Sequence, residues 1–156
     1  FDELVRIPFI LWGRHVPAGV VDPVLASTID IAPTLLAAAG IEAPPAMEGR
    51  NVLAPDTTPW AGQRVFAQYG TRNYSVRTPR HKLIRTRTGR LLLFDLENDP
   101  RELRNLAKAR PELAAGLDAE LETWRLSRQR LTDEIVTTTE IDPTTEEQLR
   151  TLGYID

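Results

Sequence analysis

Val65-Phe66-Ala67-Gln68-Tyr69, Tyr74-Ser75-Val76-Arg77, Lys82-Leu83-Ile84-Arg85 and Leu91-Leu92-Leu93-Phe94 are short apolar-rich runs, set apart by Gly70 to Asn73, Thr78 to Arg80 and Thr88-Gly89-Arg90. β-branched and aromatic residues bounded by turn formers read as strands. Connections this short permit only hairpins, so the stretch predicts a four-stranded antiparallel sheet. A sheet of that size needs a partner to cover one face.

The sequence supplies that partner downstream. From Pro111, Leu113, Leu117, Leu121, Trp124 and Leu131 recur at spacings of four, four, three and seven, with Glu112, Asp118, Glu120, Glu122 and Arg125 on the other side. This is the pattern of a long amphipathic helix. Between sheet and helix, Asp99-Pro100-Arg101-Glu102 has the order of an N-cap, a first-turn proline and a glutamate reaching back, and predicts a short helical turn. A last short helix is expected with Thr144 as cap and Glu147 in its first turn, stopping at Gly153 before Tyr154-Ile155-Asp156.

Upstream, Val5 to Trp12 is nearly continuous in apolar character and predicts a strand buried on both faces, as in a parallel sheet. A loop containing Gly13, Pro17 and Gly19 follows. Then comes a helix with Asp30 as cap, Pro33 in its first turn and Gly40 at its end. Strand, loop and helix make one α/β unit but not a whole domain. Residues 41–63, with Pro44-Pro45, Gly49, Pro55, Pro59 and Gly62, read as a surface connection. There is no internal repeat.

The chain has 156 residues, 42% of them hydrophobic and 26% charged, the composition of an ordinary globular protein. No apolar run approaches the ~18 residues that cross a bilayer, so no membrane is expected. Cysteine is absent, which removes disulfides, thiolate metal sites and a Cys nucleophile. Residue 1 is Phe, not Met, and the expectation is a piece of a longer protein. The net charge of −3 hides an asymmetry: residues 64–94 carry eight basic side chains and no acidic one. Such a stretch attracts anions; it is read here as the solvated face of the sheet, paired with the acidic helices that follow.

Chemistry is hard to find. Ser27, Ser75 and Ser127 lie in no Gly-x-Ser-x-Gly elbow, and there is no phosphate loop, zinc-type His-Glu-x-x-His or EF-hand loop. Asp2-Glu3, Asp133-Glu134 and Glu146-Glu147 read as solvated acidic pairs. Of the two histidines, His15 follows the Val5–Trp12 strand beside Arg14, where α/β proteins place ligands; His81 reads as a strand surface residue.

Several stretches together resemble the C-terminal third of the sulfatase family, in the alkaline-phosphatase-like superfamily. They are Phe1 to Ile10; Ser27-Thr28-Ile29-Asp30-Ile31-Ala32-Pro33-Thr34-Leu35-Leu36 with Ala39-Gly40-Ile41; Glu48 to Leu53; Val76 to Ile84; Leu93-Phe94-Asp95-Leu96-Glu97-Asn98-Asp99-Pro100 with Glu102 and Asn105-Leu106; and Leu149 to Tyr154, an ending similar to that of many bacterial members. Their order and spacing over nearly the whole chain carry the resemblance. It implies that residues 1–50 complete a large α/β/α domain, 51–63 connect, and 64–156 form a C-terminal α+β subdomain. Members hydrolyse sulfate esters with a formylglycine made from a (Cys/Ser)-x-Pro-x-Arg motif and a calcium ion. Neither that motif nor the family's paired aspartates has a counterpart here, so no catalytic or metal residue carries over.

The resemblance therefore implies a chain that shapes a pocket and is not catalytic alone. Its partners would be an N-terminal catalytic region and a sulfated or other anionic substrate, touched by the loop residues Arg14, His15, Arg72 and Asn73. The alternatives are a phosphodiesterase or phosphonate hydrolase of the same superfamily, or a separate anion-binding module on residues 64–94. Nucleic acid is not expected, since few aromatics accompany the basic residues. In isolation, the Val5–Trp12 strand would lack sheet neighbours; it is expected to pair with another copy, pack back on the small domain or be disordered. The compartment stays open, with a periplasmic or secreted parent as the expectation.

Overall fold

The computed structural model of the chain describes residues 5–14, 16–22, 24–54, 62–70, 72–138 and 143–151. The chain divides into two compact units, Phe1–Leu121 and Glu122–Asp156.

In the first unit each predicted run is a strand: β1 Val65–Tyr69, β2 Asn73–Arg77, β3 His81–Arg85 and β4 Leu91–Asp95. They form one antiparallel sheet in the order β1-β2-β3-β4. The register aligns Phe66 with Val76, Val76 with Leu83, and Leu83 with Leu93. Directly opposed residues share a face, so these make one apolar row, and Val76, Leu83 and Leu93 are fully buried. The start of helix α2, Pro111–Thr138, buries Ala114, Leu117 and Leu121. The buried stripe thus includes Ala114, while Leu113 is only half-buried. Two ion pairs fasten helix to sheet. Arg64 grips Glu120 with Nε at 2.5 Å and Nη2 at 3.2 Å; Arg85 Nη2 stands 2.6 Å from Asp118 Oδ1.

The opposite face carries Lys82, level with Phe94, and both are buried. Residues 96–110 supply its partners. The helical turn predicted after Asp99 is a turn without helix. Asp99 accepts from Leu103 N at 3.1 Å and Arg104 N at 2.8 Å, as a cap would, but Glu102 takes φ +54°. Its carboxylate goes inward to Lys82 Nζ at 2.8 Å. A buried ammonium needs a countercharge more than an exposed backbone N–H needs an acceptor. Next, Asn105 accepts from Leu93 N at 2.9 Å, donates to Leu91 O at 3.3 Å, and Leu106 N donates to Leu93 O at 2.7 Å. These bonds cover the free edge of β4, which otherwise would invite pairing with another chain.

Helix α1, Ile31–Ala38, continues a 3-10 turn, Thr28–Asp30. Asp30 is the N-cap residue of α1, as expected, but its side chain reaches back to the start of the 3-10 turn, where Ser27 N donates to Asp30 Oδ2 at 2.8 Å. Gly40 ends the helix at φ +70°. Its N–H reaches Ala37 O at 3.1 Å and that of Ile41 reaches Leu36 O at 2.9 Å, the double closure of a Schellman end. The 49–53 loop is pinned under this turn. Arg50 N donates to Asp30 Oδ1 at 2.9 Å and Val52 N to Thr34 Oγ1 at 3.1 Å, while Thr34 Oγ1 donates to Asp30 O at 2.6 Å. Gly49 is required here, because a Cβ would lie 1.9 Å from Ile29 O.

The strand expected at Val5–Trp12 does not form. Residues 6–12 are irregular, and all but the half-buried Leu11 are exposed, with Ile10 83% and Trp12 97% accessible. A doubly covered parallel strand needs neighbours and covering helices, and the described residues offer it none.

In the second unit, α2 continues from Glu122, where Arg125 Nη2 pairs with Glu122 Oε1 at 2.6 Å. A short helix, α3, spans Pro143–Thr151 and so starts at Pro143, with Thr144 already inside it. The stop expected at Gly153 lies outside the described residues.

Candidate functional site

The residues expected to touch an anion fall in two places. Arg14 is exposed in a turn closed by Val16 N to Gly13 O at 3.2 Å; His15 lies outside the described residues. Arg72 is exposed on the turn between β1 and β2, and Asn73 opens β2. No hydrogen bond or ion pair among the described residues joins Arg14 to the latter two.

Asn73 is committed to its neighbours. Its Nδ2 donates to Tyr69 O at 3.3 Å, closing the first hairpin, and its Oδ1 accepts from Arg87 N at 3.0 Å. The second bond ties the β1–β2 tip to the β3–β4 tip. That second tip is itself tight: Thr86 N donates to Arg90 O at 3.0 Å, Gly89 N to Thr86 O at 2.8 Å, and Gly89 has φ +80°, a conformation glycine adopts without strain. Arg87 and Arg90 thus join Arg72 at one end of the sheet, all exposed. The sequence reading counted Arg87 and Arg90 among the eight cations of the 64–94 run, and held Arg87 with Arg85 to be the pair on which a separate anion-binding module would depend, but set neither beside Arg72. Their signal was the acid-free run itself, but only strand register shows which of its cations share an end. Elsewhere in the run, Arg64, Arg80, Lys82 and Arg85 each face a carboxylate, as the solvated-face reading expected in part; Lys82, being buried, departs from it.

At the other end of the sheet, Arg80 Nη2 reaches Asp95 Oδ2 at 3.3 Å and Asn98 Nδ2 reaches the same oxygen at 3.1 Å. Burial alone would raise the Asp95 carboxyl, but these hydrogen bonds and the guanidinium charge hold it down at about 2. His81, opposite Asp95 in register, is half-buried. Desolvation, helped by the charges of Arg80 and Arg110, lowers its pKa against the opposing pull of Asp95. Asp95, Asn98, Asp99, Arg104 and Arg110 line an open cleft of about 370 Å³. Among the described residues no three of His, Cys, Asp and Glu gather where a metal could be held, and no helix is long and apolar enough to cross a membrane.

In sequence and in fold the chain is similar to known proteins. Residues 1–129 match the family described as N-sulphoglucosamine sulphohydrolase, C-terminal. The chain belongs to this family of sulfatase C-terminal regions. Arylsulfatase K of Mus musculus is 30% identical over 138 residues, covering 78% of this chain and 25% of that protein. N-acetylglucosamine-6-O-sulfatase of Bacteroides thetaiotaomicron is 29% identical over 122 residues, covering 68% of the chain and 22% of that protein. Among solved structures, Ps i-CgsB superposes with a TM-score of 0.61 at 25% identity, over 72% of this chain and 27% of that one. BT4656, solved in complex with its substrate D-glucosamine-2-N,6-O-disulfate, gives 0.52 at 26%, over 65% and 24%. The chain spans about a quarter of the length of the curated relatives it matches.

Proposed function

We propose that this chain is the C-terminal part of a sulfuric ester hydrolase, whose chemistry is performed by a catalytic region not contained in these residues. The observation that carries the reading is the family match over residues 1–129, with relatives of which this chain covers only a quarter. Residues 1–50 then complete the large domain, 51–63 connect, and 64–156 form the small subdomain that closes one side of the substrate pocket. Arg14, His15 and Arg72 face the anionic substrate, and Asn73 holds the loop that carries Arg72. The residues described here do not fit calcium, and the sequence contains no (Cys/Ser)-x-Pro-x-Arg motif, so metal and formylglycine are assigned to the preceding region of the parent. The same scaffold hosts phosphoryl chemistry, but the relatives named above are sulfatases.

The test is a chromogenic aryl sulfate assay with calcium, run on the complete parent and on this chain, with an aryl phosphodiester beside it. Sulfatase turnover by the parent alone is the expected result. Turnover by this chain would overturn the reading, and preference for the phosphodiester would move the parent to the phosphoryl enzymes.

A further inference from the structure

We propose that His81 is a proton-operated latch: its neutral ring holds the Arg110 guanidinium, and its protonated ring releases Arg110 and pairs with Asp95 instead. His81 opens β3 and stands opposite Asp95, the last residue of β4. Side chains alternate along a strand, so both share the face of Leu83 and Leu93. Just past β2, Thr78 fixes the His81 backbone: the His81 N–H donates to Thr78 Oγ1 at 2.8 Å, and its carbonyl accepts from Thr78 N at 2.8 Å. Only the ring is left to change partner. Arg110 is held as firmly along its own backbone. Directly before α2, its N–H donates to Leu106 O at 2.8 Å and its carbonyl accepts from Ala114 N at 3.1 Å. Its side chain brings Nη1 to 3.5 Å from His81 Nε2.

That contact allows one chemistry. A guanidinium donates and never accepts, so Nε2 carries a lone pair and the proton of the neutral ring sits on Nδ1. A second proton turns Nε2 into a donor facing a donor, with two cations in contact. The groups around the ring decide where it then goes. Arg80, in the preceding turn, and Arg110, before α2, repel an imidazolium; Asp95 on β4 and Glu97 just beyond it attract one. Thr78 brings no charge. Glu97 is exposed and shared with Arg80 at 3.2 Å. Asp95 is buried and stays ionised, its carboxyl held at about 2. Its Oδ2 takes Arg80 and Asn98 Nδ2, while Oδ1 takes only a long 3.4 Å bond from Asn98 N, which leaves that oxygen room for the ring. Desolvation, with the two arginines behind it, outweighs the pull of Asp95 and lowers the His81 pKa. The latch therefore opens only as pH falls below the ordinary histidine value of about 6.5. Freed, the Arg110 side chain turns its charge to the cleft that it lines with Asp99 and Arg104, and the tie between the start of β3 and the start of α2 is lost.

The experiment follows the imidazole nitrogens of the full chain by nitrogen NMR from about pH 8 to about pH 4.5, a range that brackets the ordinary histidine value. The chain has two histidines, and the His81→Gln spectrum tells them apart. At the upper end the His81 ring should be the Nδ1–H tautomer, and the Arg110 Nε signal should move with the same midpoint as the ring. Arg110→Ala should abolish the tautomer bias and raise the His81 pKa. Lys108→Ala, which removes the same charge from an exposed position two residues away, should do neither. Asp95→Asn should lower the pKa further, with circular dichroism confirming that the fold is retained. An Nε2–H tautomer, an Arg110 signal that ignores the titration, or equal effects of Lys108→Ala and Arg110→Ala overturn the latch. An unchanged pKa in folded Asp95→Asn overturns the exchange of partners. If Asp95→Asn does not fold, the tautomer and the Arg110 signal still decide. None of these outcomes depends on the sulfatase reading, which stands or falls on the aryl sulfate assay.

Discussion

Lys82 and Glu102 illustrate how much one residue's environment decides. With 2% and 1% of their side chains exposed and 2.8 Å between them, each makes the other's burial tolerable. Removing one partner strands the other charge, so Glu102→Gln or Lys82→Met should cost about 3–5 kcal/mol. Replacing both by apolar residues should recover most of that. Urea denaturation of the three variants checks this, and single variants within 1 kcal/mol of the parent chain, at about the precision of the method, would remove the pair from the account. A second residue-scale expectation concerns pH. The folded-state pKa of His81 is lowered, so the unfolded chain binds the proton more readily. Stability from this source is complete above the ordinary histidine value and falls as pH drops through it. Asp95, held at about 2, adds stability above the usual carboxylate range that is lost as pH falls toward 2. Denaturation midpoints between pH 8 and pH 5, on a scale set by an unperturbed pKa of about 6.5, should decline, and His81→Gln should flatten that part of the curve.

At the scale of elements, two joints hold the first unit. One is the α2 stripe on the sheet. Leu117, 3% exposed, sits in its centre, and Leu117→Ala should cost about 2–5 kcal/mol, measurable as a lowered denaturation midpoint with an unchanged slope. The other joint is the 49–53 loop under the start of α1. At Gly49 an added methyl would meet backbone, not a movable side chain, so Gly49→Ala must push the loop away from Asp30 and Thr34. About 1–3 kcal/mol should be lost, together with hydrogen-exchange protection at Arg50 N and Val52 N. Protection that survives the substitution would show that the loop is not held as described. The motif Asp99-Pro100 with Glu102 and Asn105-Leu106 is intelligible in the same terms: one residue caps, one supplies a buried charge, and the last two cover an edge strand.

For the whole molecule, the decisive feature is the apolar segment that opens it. Val5, Ile7, Phe9, Ile10 and Trp12 are exposed together, a concentration that marks an interaction surface. The sulfatase reading assigns that surface to the rest of the large domain; in the isolated chain it should drive self-association. Light scattering at rising concentration should show dimers or larger species, reduced by Ile10→Asn with Trp12→Ser. A strictly monomeric chain would contradict this. In the complete parent, the same amides should be protected from hydrogen exchange.

Local sequence determined the sheet, because hairpin strands depend only on alternating composition and the turns between them, and Val65–Tyr69 through Leu91–Asp95 need no distant partner to define them. It also determined the α2 helix and the Gly40 stop, and the order of its motifs pointed to the sulfatase family. The fate of Val5–Trp12 was not legible, since a buried parallel strand is apolar for neighbours that lie elsewhere in the chain or beyond it. Only the tertiary structure decided that Glu102 turns inward to Lys82, that the buried stripe runs through Ala114, and that Arg87 and Arg90 stand beside Arg72 and Asn73. A charge in a sequence carries no mark of which side of the sheet it faces or which strand end it shares. Register and burial, set by the chain as a whole, assign those places.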